Sequence, residues 1–206
     1  MDEIREFCAR MLGDRGLAER AAEAAEQRGG DRMQALAAAV AACRQSTDQA
    51  AMPVTNAGPD AEEGLVGAVA AEMAQATARL PQRQREALAL RETLGLGYEQ
   101  IGRLIGIEPA AVAPLLARGR LRLRSELRGT PPPVAECHER DRALRTIALR
   151  RDGEEVLDAD EDWLLDHLGH CPGCAQAHSA MLEASACYRA WQLPEAAATS
   201  GTSQSQ

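Results

Sequence analysis

The chain has few aromatic residues and no long apolar run. Only 2% of its 206 residues are aromatic, and alanine and leucine supply most of the 45% that are hydrophobic, which favours helices over a β-sheet. The longest apolar stretch, residues 36–43, is too short to span a bilayer, and the opening MDEIREF lacks the basic segment of a secretory signal. We therefore expect an all-α, cytoplasmic protein with no membrane partner.

Lysine is also missing, since every basic residue is arginine, and charge is distributed unevenly along the chain. The net charge is −8, which taken alone argues against a nucleic-acid ligand. Residues 79–130 nevertheless contain ten arginines and five acidic residues, whereas residues 131–206 have a net charge of −7. A basic segment beside an acidic one can bind a polyanion or be covered by its own neighbour.

Composition divides the chain into three helical parts separated by irregular segments. Apolar residues recur at helical spacing in residues 1–45, where we predict three short helices. Residues 46–64 are polar, contain two prolines and show no period, which predicts a flexible linker. Helical spacing returns in residues 65–129 and again in residues 130–192, with GTPPP at the boundary between them. Residues 193–206 are predicted to be a disordered tail.

The basic segment has the pattern of a helix-turn-helix. Residues 98–127 predict a short helix with Ile101 on its buried side, a tight turn around Gly106, and a longer helix that buries Val112. Such a motif presents its second helix to the major groove of DNA. The arginines of the second helix alternate and so spread around half of its surface, which suits phosphate contacts better than base contacts. The candidate DNA-binding residues are Tyr98, Arg118, Arg120, Arg122 and Arg124.

Several short motifs in residues 80–129 occur in a common register: LPQRQRE, GLGY at residues 95–98, LIGI at residues 104–107, and Arg118-x-Arg120. With this set of motifs the segment resembles region 4 of the extracytoplasmic-function sigma factors of bacterial RNA polymerase. The resemblance implies docking on core RNA polymerase and recognition of promoter DNA.

The start of the second helix departs from that family. The family usually has threonine, lysine or arginine, and serine there, whereas this chain has Ala111, Ala113, Pro114 and Leu115. These side chains cannot hydrogen-bond to a base edge, and Pro114 also lacks a backbone donor. Sequence-specific base recognition by this face is therefore not expected from these residues.

Residues 1–45 are similar in layout to sigma region 2, which binds polymerase and melts the promoter. FCARMLGDRGLAERAAEAAEQ corresponds to the opening helices, and MQALAAAVAACRQ lies where the melting helix would fall. The aromatic residues that stack on unpaired bases in that region are absent. Two interpretations remain open: a degenerate region 2, or a small alanine-rich bundle with no role in nucleic-acid binding.

The last helical part contains a set of metal-ligand residues. His167, Cys171 and Cys174 form H-x-x-x-C-x-x-C, in which residues four apart share a helix face and the two thiols point at one ion. A C-x-x-C pair alone would also fit redox chemistry, but the histidine and the distal Cys137 favour one tetrahedral zinc ion. The predicted ligands are Cys137, His167, Cys171 and Cys174, with His170 as the rival histidine and His138 and His178 as weaker candidates.

The same part, about residues 134–191, resembles the zinc-binding anti-sigma fold, a zinc-finger module. Members of that fold bind sigma factors, and in some of them the zinc thiolates act as a redox switch. The acidic run at residues 158–162 is expected to cap a helix start, or else to mask the arginines of residues 118–128. The other three cysteines are expected to be small buried apolar residues, namely Cys8, Cys43 and Cys187.

Two functions follow from these patterns. The first is a sigma-factor-like transcription regulator that acts with RNA polymerase core on promoter DNA and is controlled in cis by its zinc-binding module. The alternative is a zinc or thiol sensor that does not read DNA and binds another sigma factor or the polymerase. An enzyme is not expected, because the sequence has no nucleophile-base pairing and no phosphate loop, and four protein ligands would leave zinc no open position.

Overall fold

The computed structural model describes residues 2–49, 63–131 and 136–191, and their regular structure is entirely helical. The all-α expectation is therefore confirmed, with no strand in these three ranges. No helix in them is long and apolar enough to cross a membrane. A π-helical turn, Ala89–Thr93, follows α5, and a 3-10 turn, Pro109–Ala111, precedes α7. The α-helices are α1 Asp2–Leu12, α2 Arg15–Glu26, α3 Arg32–Gln49, α4 Glu63–Ala78, α5 Gln82–Leu88, α6 Tyr98–Ile105, α7 Val112–Arg128, α8 Arg140–Asp152, α9 Asp158–His170 and α10 Pro172–Ala190.

Helices α1 to α3 pack against one another, as the spacing in residues 1–45 predicts. Phe7 and Leu36 are fully buried, and α2 contributes only alanines to the core, which lets its neighbours approach closely. Helix α3 continues to Gln49, so the expectation that the linker begins at residue 46 was wrong. The rest of the predicted linker before α4, residues 50–62, and the predicted tail lie outside the described residues.

Helices α6 and α7 form the predicted helix-turn-helix. Gly106 ends α6 in the left-handed conformation (φ 71°), which glycine adopts without the steric cost that a side chain adds. A Cβ on Gly102 would lie 2.8 Å from the carbonyl oxygen of Ile107, so the turn also needs glycine there. Ile101 and Leu116 are fully buried between the two helices. The turn therefore fixes the orientation of α7 relative to α6.

Helices α8 to α10 pack on α7 and share a core with the rest of the protein. Ile147, Leu164, Met181 and Tyr188 are almost completely buried, and they belong to the same continuous hydrophobic cluster as Phe7 of α1. The three helical parts that composition separates are thus joined by packing. Burial of apolar surface is the main favourable contribution to such an arrangement.

A buried ionic network joins the helix-turn-helix to the last three helices. The guanidinium of Arg120 on α7 donates to Glu92 Oε1 at 2.7 Å and to Asp152 Oδ1 at 2.8 Å, and all three side chains are at most 2% exposed. Burial by itself opposes the charge of Arg120, but the two carboxylates outweigh that effect and raise its pKa above the ordinary value. Arg120 therefore remains ionised inside the protein.

Further donors complete the network. The Tyr98 hydroxyl donates to Asp152 Oδ2 at 2.7 Å, Arg151 donates to Glu92 Oε2 at 3.1 Å, and the Ser185 hydroxyl donates to Glu92 Oε1 at 2.8 Å. Burial raises the pKa of Asp152, but Arg120 more than offsets this and holds it below its usual value. Helices α6, α7, α8 and α10 and the π-helical turn all contribute a side chain.

Two more arginines tie α1 and α3 to the other helices. Arg10 donates from Nη1 to the carbonyl oxygen of Tyr188 at 2.6 Å, and its guanidinium lies 5.0 Å from the ring centroid of Trp191. Arg44 forms two 2.7 Å hydrogen bonds to Glu86, whose side chain is fully buried. Both contacts place charge-assisted hydrogen bonds at the boundary between parts that the sequence suggests are separate.

We expect Arg120→Met to lower the free energy of unfolding by about 3–5 kcal/mol, because Glu92 and Asp152 would stay buried without their shared cation. Urea denaturation followed by far-UV circular dichroism measures the change. Arg122→Met is the matched control on the same helix, since the Arg122 side chain is 51% exposed, and its effect should stay within about 0.5 kcal/mol. Equal unfolding midpoints for the two variants would show that the network does not stabilise the fold.

Candidate metal centre and nucleic-acid interface

The four predicted metal ligands come together at one end of α8, α9 and α10. The ligand atoms of Cys137, His167, Cys171 and Cys174 all lie within 4.8 Å of one another, and Cys137 Sγ is 3.6 Å from His167 Nε2. Zinc binds thiolate sulfur at about 2.3 Å and imidazole nitrogen at about 2.0–2.1 Å in a tetrahedron, which places neighbouring ligand atoms about 3.5–3.8 Å apart. The observed cluster has the donor set of such a site, and its ligand atoms would need to move closer by at most about 1 Å to reach this spacing.

The turn between α9 and α10 explains how three ligands from one short stretch converge. Helix α9 ends at His170, Cys171 has extended backbone angles (φ −112°, ψ 96°), and Pro172 begins α10. The Cys171 N–H still donates to the carbonyl oxygen of His167 at 2.8 Å. The chain therefore reverses tightly and brings the last turn of α9 beside the first turn of α10, which contains Cys174.

The two thiols of the C-x-x-C pair have different acidities. The backbone N–H of Cys174 stabilises the Cys171 thiolate and lowers the pKa of that thiol, whereas burial raises the pKa of Cys174 to about 12. Cysteine ligands bind metal as thiolates, so metal binding at Cys174 requires displacement of a proton from a buried thiol.

The rival histidines lie elsewhere. His170 is 79% exposed, with Nδ1 2.8 Å from the carbonyl oxygen of Asp166, and His138 is 91% exposed. His178 is partly buried on α10, and none of the three belongs to the cluster formed within the described ranges. The tertiary arrangement thus selects His167 from four candidates.

The remaining cysteines only partly match the expectation. Cys8 and Cys43 are fully buried between α1 and α3, as predicted for small apolar residues. Cys187 is only partly buried but packs against the core, so the prediction holds only in part for this residue.

The candidate DNA-binding residues separate into two groups. Arg118 and Arg122 are exposed on α7, and Arg124 is partly buried. Tyr98 and Arg120 were predicted incorrectly, because both side chains are buried in the network around Asp152 and cannot reach DNA in this structure. The spacing of the arginines explains why Arg120 is buried while Arg118 and Arg122 are exposed: each residue turns an α-helix by 100°, so the even-numbered arginines from 118 to 124 face different directions.

Glu183 on α10 covers the end of α7. Its carboxylate accepts from Arg124 Nε at 3.3 Å and also accepts from Arg128, and both of these arginines belong to the basic segment. The two guanidinium groups lower the pKa of Glu183, so the carboxylate is charged at neutral pH. A single acidic side chain of the last helices thus pairs with two arginines of α7 and offsets one of their two positive charges.

Sequence reasoning missed Glu92, Asp152 and Glu183 as partners of these arginines. Glu92 gives a usable signal, because it lies four residues after Leu88 in an otherwise apolar pattern and therefore shares the buried face. Asp152 and Glu183 lie in parts of the chain far from α7, and no local pattern connects them to it.

The acidic run at residues 158–162 begins α9, as expected for a helix start. The alternative prediction, that this run masks the arginines of residues 118–128, was wrong, because its ion pairs among the described residues are with α8. Asp160 pairs with Arg142 at 2.6 Å, and Glu161 pairs with Arg150 at 2.9 Å, both on α8.

The apolar residues at the start of α7 do not form one surface. Ala111 is exposed, whereas Ala113 is 1% exposed and packs in the core, with Pro114 and Leu115 partly buried. The small size of residue 113 is therefore a packing feature. Only Ala111 of this set is fully available to a groove of DNA.

Comparison with known proteins confirms the resemblance of the helix-turn-helix. Residues 70–123 match the family described as "Sigma-70, region 4". The chain is 38% identical over 73 residues to the ECF RNA polymerase sigma factor ShbA of Streptomyces griseus, an alignment that covers 35% of this chain and 38% of that protein. The chain thus spans little more than a third of the length of this relative, and no solved structure matches it.

The family match ends before the metal cluster, so the resemblance of residues 134–191 to the anti-sigma fold remains a prediction. What the comparisons show is a region 4 match in residues 70–123 and a partial similarity to one ECF sigma factor.

Proposed function

We propose that the protein is a sigma-factor-like transcription regulator that acts with core RNA polymerase at promoter DNA. We further propose that α8 to α10 form a zinc-binding, anti-sigma-like module that controls the region 4-like part in cis. The observation that supports this most directly is the position of the basic residues of α7. Arg120 is buried against Asp152, and Arg124 and Arg128 are paired with Glu183.

Cis control is helped by the covalent connection between the two parts. A partner tethered in the same chain acts at an effective concentration in the millimolar range, which adds to the packing and the ion pairs that keep these helices in place. DNA and Glu183 compete for the same two guanidinium groups. Release of α10 would expose them to phosphates and increase DNA affinity.

The proposed cofactor is one zinc ion held by Cys137, His167, Cys171 and Cys174. Three thiols and one imidazole at the observed spacing fit a closed structural site with four protein ligands. When bound, zinc supplies a cross-link between the segment before α8, the end of α9 and the start of α10. Helix α8 contains Asp152, and helix α10 contains Glu183.

Residues 2–49 fit a degenerate region 2 in the same proposal. Phe7, the single phenylalanine of the chain, is fully buried and is not available to stack on a base. Arg44 and Arg10 hold this bundle against α5 and α10. These contacts equally fit the alternative of a small alanine-rich bundle that stabilises the packing of α8 to α10 on α7.

The alternative function is a zinc or thiol sensor that binds another sigma factor or the polymerase without reading DNA. The apolar start of α7 favours it, because Ala111 presents only a methyl group at the fully exposed position and a methyl group contacts few features of a base pair.

We expect Glu183→Gln to increase affinity for a labelled random-sequence DNA duplex, because it removes the negative charge that pairs with Arg124 and Arg128. Each arginine released to a phosphate should also steepen the dependence of log affinity on log salt by about 0.9. Fluorescence anisotropy over a salt series measures both quantities.

The matched control is Glu161→Gln. It changes net charge equally and breaks a 2.9 Å ion pair in the same module, but that pair lies on α8 and α9. Identical affinity and identical salt dependence for the two variants would contradict masking by Glu183.

We expect the reduced protein to contain one zinc ion per chain and Cys174→Ser to lose it, with partial loss of helical signal. Metal analysis of protein purified under reducing conditions, with circular dichroism, measures both. Cys187→Ser is the control, since Cys187 lies on the same helix outside the cluster and should leave zinc content unchanged. Zinc-free wild-type protein would dismiss the metal site.

A further variant separates the two functions. We expect Ala111→Arg, introduced together with Glu183→Gln, to increase DNA affinity if the start of α7 enters the groove, because a new cation would meet phosphates there. Ala186→Arg in the same background adds equal charge at an exposed position of α10. Equal DNA affinity for the two arginine variants would favour the sensor.

A further inference from the structure

Three planar side chains stack beside the metal cluster. The rings of Trp163 and His167 are nearly parallel, at 18°, with centroids 4.9 Å apart. On Trp163 the guanidinium carbon of Arg142 lies 3.9 Å from the ring centroid. The indole therefore contacts both the cation and the imidazole, and the imidazole belongs to the cluster.

The outer end of the stack is fixed by an ion pair. Asp160 Oδ1 accepts hydrogen bonds from Arg142 Nε at 3.1 Å and from Nη2 at 2.6 Å. Asp160 and Trp163 lie on α9, and Arg142 lies on the first turn of α8. A planar cation held by a carboxylate on one side covers the indole face and limits its rotation.

The inner end of the stack orients His167. Trp163 precedes His167 by one helical turn, so both side chains project from the same face of α9. The ring of His167 contacts Trp163, and its Nε2 points to Cys137 Sγ at 3.6 Å. Rotation of the imidazole away from the thiols would break its parallel contact with the indole.

The stack also connects ligands that are distant in sequence. Cys137 lies five residues before Arg142, whereas the other three ligands lie on the α9–α10 turn. Contact between Arg142 and Trp163 therefore fixes the start of α8 against α9. Cys137 is thereby held close to the other three ligands.

We propose that Trp163, held by Arg142, is a positioning residue for the metal ligand His167, and that it pre-organises the four ligands for zinc. This inference rests on the proposed zinc site. Groups that orient a metal ligand typically change metal affinity by 10–100-fold when they are lost, because the free ligand must otherwise be ordered on binding.

The test compares Trp163→Leu and Trp163→Phe with Trp191→Leu in the full chain. Trp191 is buried at the other end of α10, about 25 Å from Cys174 along the helix axis, so its loss removes similar packing without touching the ligands. Zinc affinity is measured by competition with a chromophoric chelator, and Co²⁺ binding is followed by its visible absorption, which reports whether nitrogen is among the ligands.

We expect Trp163→Leu to weaken zinc binding by about 10–100-fold and to alter the Co²⁺ spectrum as His167 becomes loosely held. Trp163→Phe retains a planar ring and should restore most of the affinity, and Trp191→Leu should bind zinc like the wild type. Wild-type affinity and an unchanged spectrum for Trp163→Leu would overturn the positioning role while leaving the zinc site intact. Absence of zinc from the wild-type protein would overturn the site and this inference together.

Arg142→Gln gives the same test without disturbing the core, since the Arg142 side chain is 39% exposed. It removes the cation and the bond to Asp160, and we expect a smaller loss of zinc affinity, in the same direction as Trp163→Leu. Arg150→Gln is its control on α8, because Arg150 pairs with Glu161 and does not stack on Trp163. Equal zinc affinity for the two glutamine variants would contradict the role of Arg142.

Discussion

A guanidinium that leaves water must be neutralised and hydrogen-bonded within the protein, and Arg120 meets that requirement only because two separate segments supply a carboxylate. Glu92 comes from the π-helical turn before the helix-turn-helix, and Asp152 is the last residue of α8. The arrangement is costly to break, since removal of Arg120 would leave two buried carboxylates without their shared cation. It therefore links the fold of the region 4-like part to the presence of the last three helices.

Helix α7 has an inner face and an outer face with different roles. The inner face of α7 supplies Arg120, Leu116 and Leu123 to the interior, and its outer face presents Arg118 and Arg122 to solvent. Between them, Arg124 meets Glu183. Helix α7 can therefore keep exposed arginines for a polyanion while its other arginines pair with carboxylates of the same chain. In this way a chain with a net charge of −8 contains a basic helix.

The metal cluster and the ionic network lie at opposite ends of the same two helices. Cys137 precedes α8, and Asp152 is its last residue. Cys174 lies in the first turn of α10, and Ser185 lies near the end of that helix. Each helix is about 20–28 Å long. Buried ion pairs thus join α8 and α10 at one end, the cluster of three cysteines and one histidine lies at the other end, and apolar packing lies between them.

The sequence by itself determined the local features. Alanine-rich helical periodicity specified the all-α fold, Gly106 specified the turn of the helix-turn-helix, and the H-x-x-x-C-x-x-C spacing specified three of the four cluster residues, because each of these depends on neighbours within a few residues. Tertiary structure decided the rest: that Tyr98 and Arg120 are interior, that Glu183 covers the end of α7, and that three apparent domains share one core. Those outcomes depend on which distant helices pack together, and a buried charge is placed by partners far away in the chain, which no local pattern encodes.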